Sequence, residues 1–73
     1  MKKTFINLFL KAQKLGKAKQ LIKFLDTKYS IWITDNPDIS KEDLKDEVYF
    51  ADWSCISRKE MEEIAILASA KLF

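Results

Sequence analysis

The chain of 73 residues has no histidine, a single cysteine, a single glycine and a single proline. Each shortage excludes a class of chemistry. Without histidine, and with Cys55 alone, the usual nucleophile–base pairs and the zinc ligand sets are missing, and an enzyme working by those routes is not expected. One cysteine cannot staple the chain internally, whereas disulfide-rich secreted miniproteins of this length carry several, so the expected setting is reducing and cytoplasmic. One glycine cannot build a phosphate-cradling loop, and no nucleotide or other cofactor is expected. The acidic stretch Asp35, Asp38, Glu42, Asp43, Asp46 and Glu47 lacks the alternating ligands and turn glycine of a calcium loop. It reads as helix caps and a solvated face, and no metal is expected.

Long apolar runs are also missing. The stretch from Phe5 to Leu10 is interrupted by Asn7 and closed by Lys11, with no small-residue cleavage site behind it, so it resembles neither a secretion signal nor the roughly 18 apolar residues of a membrane span. What is present is the mixture of an ordinary folded domain, 48% hydrophobic and 33% charged. A chain of this size hides only about 60% of the surface its unfolded form exposes, so residues 1–73 are expected to form one domain with one small core and a stability of about 4–11 kcal/mol.

Charge is divided unevenly. Residues 1–28 carry eight lysines against Asp26 alone, a balance of +7, and the remainder carries −5, giving the net +2. Such asymmetry either marks a face for a polyanion or lets the two halves attract each other within the fold.

The spacing of Phe5, Leu8, Phe9, Ala12 and Leu15 predicts an amphipathic helix, and that of Ala18, Leu21, Ile22, Leu25 and Tyr29 predicts a second whose stripe is rotated well around the axis. One helix over 3–28 would be roughly 39 Å long, so two helices, about 3–14 and 17–28, are favoured, broken at Leu15-Gly16 where glycine takes a left-handed cap. Residues 29–34 are aromatic, β-branched and alternating, and predict a short extended segment before the turn at Asp35-Asn36-Pro37-Asp38. Ser40, with Asp43 in the first turn, predicts a helix at about 41–52 with Leu44, Val48, Ala51 and a buried Cys55 on its inner face. Residues 47–51 also suit a strand pairing with 29–34. Ser57 and Glu60 form a capping-box pattern ahead of Met61, Ile64, Ala65, Ala68 and Leu72. The last helix is apolar nearly all round from Ile64 to Ala70, as a helix is when central in a core or covered by a second copy in a homodimer. The fold class expected is mainly α, a small bundle of three to four helices, with an α+β arrangement containing a two-stranded hairpin as the alternative.

Leu44, Val48, Ile56, Ser57, Met61 and Ile64 resemble the apolar positions and turn serine of a DNA-binding helix-turn-helix. The resemblance covers residues 40–64 and departs from the motif where Tyr49 to Cys55 replace a tight turn. Glu60, Glu62 and Glu63 would also face phosphates with the wrong sign. A stronger alternative is a non-sequence-specific nucleic-acid-binding accessory role for Lys11, Lys14, Lys17, Lys19 and Lys23, which lack the arginine and polar cluster that reads bases.

The favoured expectation rests on aromatics. On the predicted elements Trp32, Tyr49, Phe50 and Trp53 all point away from the core, and such residues dominate binding hot spots; the alternative is that Trp32 and Trp53 cap a thin core, since small domains depend on large aromatics for buried area. The expected function is a small non-enzymatic regulator, inhibitor or adaptor that binds another protein through this surface, of the kind that phages and other mobile elements encode.

Overall fold

In a computed structural model, residues 2–68 are described; they form α1 (Lys2–Lys14), α2 (Ala18–Tyr29), α3 (Lys41–Phe50) and α4 (Arg58–Leu67), with no strand among them. The mainly α bundle is therefore the fold, and residues 47–51 are the end of α3, not half of a hairpin. α1 packs against both α2 and α3, and α2 packs against α4.

The break between α1 and α2 follows from Gly16, which stands at φ 71°. With glycine left-handed, the Lys17 N–H donates to the Ala12 carbonyl at 2.8 Å and the Gly16 N–H to the Gln13 carbonyl at 3.2 Å, closing a Schellman cap. The described residues span only 26 × 24 × 21 Å, shorter than the single rod would have been. Because α1 stops at Lys14, Leu15 falls off the stripe assigned to it and is exposed, while Ile6 is buried instead.

α2 ends on a left-handed residue that is not glycine, Ser30 at φ 57°. From there residues 31–39 run without a partner strand, held by side chains. Ile31, Ile33 and Ile39 are buried, and the Gln13 amide of α1 donates to the carbonyls of Pro37 and Ile39, both at 2.9 Å. The Thr34 hydroxyl accepts from the Asn36 N–H, and the Asn36 side chain accepts from the Asp38 N–H, which shapes the turn before α3. Residues 31–34 thus lie outside any helix or strand, as the alternation over 29–34 predicts, but Tyr29 still belongs to α2 and Ser30 is left-handed, and local side-chain bonds stand in place of a ladder.

Helix wins at 41–50 because Ser40 caps it, accepting from the Asp43 N–H at 3.2 Å, and because Leu44 and Val48 share its buried face. It ends earlier than expected. Ala51 is already extended, and that early exit reverses two sequence expectations. Trp53 swings back beneath α3 and is only 5% exposed. Cys55 is exposed, its place in the core taken by Ile56.

α4 starts with a complete capping box: Ser57 Oγ accepts from the Glu60 N–H at 3.3 Å and Glu60 Oε1 accepts from the Ser57 N–H at 3.0 Å. The Ser57 backbone N–H, with a smaller contribution from the Ser57 side chain, holds the Glu60 carboxyl below its ordinary value. A depressed carboxyl stabilises the fold above its ordinary titration range, and that stabilisation disappears as pH falls through the lowered value. Ser57→Ala keeps that N–H but removes the hydroxyl, so it is expected to cost about 1 kcal/mol near neutrality through the lost cap and to lose slightly less on acidification than the parent chain. Urea unfolding midpoints near neutral pH and at about pH 3 check this; equal acid sensitivity in both proteins would contradict it.

Candidate protein-binding surface

The four aromatics predicted to share one surface are sorted by the fold into three environments. Trp53 belongs to the core. Its ring lies 4.6 Å from that of Phe5, centroid to centroid, and its indole N–H donates to the Val48 carbonyl at 2.8 Å. That carbonyl is one of the last four of α3, which have no partner within the helix, so Trp53 both fills the core and caps the helix. Trp53 is thereby removed from the predicted binding set.

Trp32 does lie on the surface, 54% exposed, because Ile31 and Ile33 on either side turn inward. It forms one wall of a cleft of about 320 Å³ lined also by Tyr29, Ser30, Ile31, Ala51, Asp52 and Cys55. The cleft exists because two chain reversals meet there: the left-handed exit from α2 at Ser30 and the extended exit from α3 at Ala51. Phe50, next to Ala51 in the chain, is 89% exposed. An aromatic so bare has no role in the core.

Within this cleft Asp52 Oδ1 accepts from the Ser54 N–H at 3.0 Å. The bonds from Ser54, with a smaller contribution from the Lys2 charge, hold the Asp52 carboxyl below its ordinary value, so it is ionised at neutral pH. Tyr29 stands at the other end. Burial pushes its phenol up, opposed by the neighbouring Lys28, whose ammonium lies 5.6 Å from the ring centroid. Lys28 also lies 5.5 Å from the Phe24 ring and pairs with Glu63, tying α2 to α4 behind the cleft.

Tyr49 faces elsewhere. With Lys2, Lys3, Ile6 and Lys45 it lines a separate hollow of about 240 Å³, where Lys2 Nζ donates to the Tyr49 carbonyl at 3.3 Å and lies 5.2 Å from its ring. Of the lysines in the alternative reading, Lys11, Lys14, Lys19 and Lys23 are exposed and form no ion pair with a described carboxylate. Lys17 is half-buried. They are distributed over α1, the Gly16 turn and α2.

The helix-turn-helix resemblance does not survive in the geometry, since residues 51–57 intervene between α3 and α4 and α4 packs against α2. On α4, Ile66 is 76% exposed while Met61, Ile64, Ala65 and Ala68 face inward. The remainder of the apolar run, with Leu72, lies outside the described residues. No helix among the described residues is long and apolar enough to cross a membrane.

Of the residues that line the cleft, sequence reasoning assigns only Trp32 to a binding surface, and Asp52 and Cys55 are among those it does not reach. No local signal points to them, since the Asx turn from Asp52 to the Ser54 N–H uses a backbone donor that any residue but proline supplies. Comparison with protein-family models, with curated proteins and with solved structures finds no match.

Proposed function

We propose that this chain acts by binding another protein, as a small cytoplasmic regulator, inhibitor or adaptor without catalysis of its own, and that Trp32 and Phe50 carry the contact. The observation behind this reading is the combination of a half-exposed tryptophan at a formed cleft with a nearly bare phenylalanine beside the cleft residue Ala51. Large rigid aromatics lose little conformational entropy on binding and are enriched among the residues that dominate interfaces. The core does not need Trp32 and Phe50, because Phe5, Phe9 and Trp53 already supply its aromatic bulk.

The unpaired lysines of α1 and α2 favour a second reading, an accessory that binds nucleic acid through the phosphate backbone. One experiment separates the two. The tagged chain and its Trp32→Ala variant are used to capture partners from the native host's lysate, with nuclease and at high salt. A stoichiometric protein held by the parent and lost by the variant is the expected result. Equal capture by both baits contradicts the Trp32 assignment, and recovery that depends on nucleic acid and low salt transfers the function to the lysines. Recovery of only a second copy of the chain would assign the surface to a homodimer.

A further inference from the structure

The cleft beside Trp32 has a chemical character that narrows what it can receive. Among its lining residues the only charged side chain is acidic, Asp52, although the chain carries more cations than anions. Asp52 has no ion-pair partner among the described residues; the cation nearest in influence, Lys2, donates to the Tyr49 carbonyl and lies against the Tyr49 ring. The carboxylate is not a loose surface group either, because Oδ1 is anchored by the Ser54 N–H. The same cleft is lined by an indole, the ring whose face attracts cations most strongly.

A fixed carboxylate and an accessible indole suit one kind of group best. An ammonium is a compact, strongly hydrated point charge, whereas a guanidinium is flat, weakly hydrated, stacks on an aromatic face and offers in-plane donors to a carboxylate. The cleft volume of about 320 Å³ holds such a side chain with the flanking backbone of a peptide.

We infer that the Trp32 cleft receives an arginine side chain presented by the partner protein, stacked on the Trp32 indole with its guanidinium donating to the Asp52 carboxylate. The assignment rests on the protein-binding reading and specifies its chemistry. The anchoring of Asp52 gives the guanidinium a placed acceptor, and the half-buried Tyr29 and Ala51 give the arginine methylenes apolar surface to cover.

The test uses the full chain labelled with nitrogen-15 and two small probes, N-acetylarginine N-methylamide and its uncharged citrulline counterpart. Binding is followed through the amide and indole N–H signals. The Trp53 indole, buried and bonded to Val48, is the internal reference. The arginine probe is expected to shift the Trp32 indole and the amides of Ser30, Asp52 and Cys55, saturating at about millimolar concentration, as a ligand of that size does. The citrulline probe should bind about two- to five-fold more weakly, and Asp52→Asn, which keeps the Oδ1 acceptor for Ser54, should reduce arginine binding by a similar factor. Trp32→Ala should abolish the saturable response.

Equal binding of citrulline, an unchanged response in Asp52→Asn, or absence of saturation by tens of millimolar would overturn the arginine assignment. If any of these occurs while Trp32→Ala still loses the captured protein, the binding surface stands and only its specificity is wrong. If the variant also keeps its protein, both fall together.

Discussion

Replacing Trp53 by alanine is expected to remove a large share of the chain's stability and to lower its urea midpoint steeply. Truncating a buried tryptophan costs about 3–5 kcal/mol, against a total stability of about 4–11 kcal/mol for a domain of this length. The loss has two parts. Removing the ring opens a void against Phe5, itself fully buried on α1, and removing the indole N–H leaves the Val48 carbonyl buried without its partner. Trp53→Phe largely separates them, since it keeps an aromatic ring beside Phe5 and loses the bond with only a small part of the buried volume, at a cost of about 1–3 kcal/mol. Urea denaturation followed by far-ultraviolet circular dichroism reads both variants. A Trp53→Ala protein as stable as its parent would mean that the tryptophan does not pack beneath α3.

The opposite behaviour is expected of the Trp32→Ala, Phe50→Ala double variant. Phe50 is almost wholly and Trp32 about half in water, so the unfolding free energy should fall by about 1 kcal/mol or less. Affinity for the captured protein should fall by at least about 2 kcal/mol, roughly thirty-fold, because interface anchors lose that much on truncation to alanine. Calorimetric titration against the purified partner measures the second quantity, and a denaturation curve of the same sample measures the first. A variant that loses stability and affinity in proportion would show that Trp32 and Phe50 support the fold and that weaker binding is only a consequence.

This contrast also marks the point at which sequence stops being informative. The four helices are legible because each is written locally: a stripe of apolar residues at helical spacing, Gly16 to end α1, Ser40 to start α3, and the reciprocal Ser57–Glu60 cap of α4. The aromatics are not legible in that way. A helix carried two residues further, to 52, turns Trp53 outward and Cys55 inward. The actual exit at Ala51, set by an extended backbone and by the Asp52 turn, reverses both. The position of Trp53 depends on a bond to a helix-end carbonyl and a ring from α1, and neither is encoded next to it in the chain.

The cleft was illegible for a related reason. Its walls come from the end of α2 and the end of α3, which are brought together through the packing of α1 against both. Sequence alternation placed Trp32 outward, and the structure agrees, but nothing in the residues around Trp32 announces Asp52 as its neighbour. Tyr49 and Phe50 illustrate the converse: adjacent in the chain, they point in different directions around a helix that advances about 100° per residue. Tyr49 enters a hollow of lysines while Phe50 remains bare.

The central claim is that the two tryptophans divide the work, Trp53 holding the fold and Trp32 meeting the partner. Fluorescence of two single-tryptophan proteins tests it most directly: Trp53→Phe leaves only Trp32, and Trp32→Phe leaves only Trp53. The account predicts that Trp32 emits as a solvated indole, is quenched readily by acrylamide and becomes protected when the captured protein is added, while Trp53 is shielded throughout and indifferent to the partner. A Trp32 signal unchanged at saturating partner, or a Trp53 quenched as easily as Trp32, would contradict it.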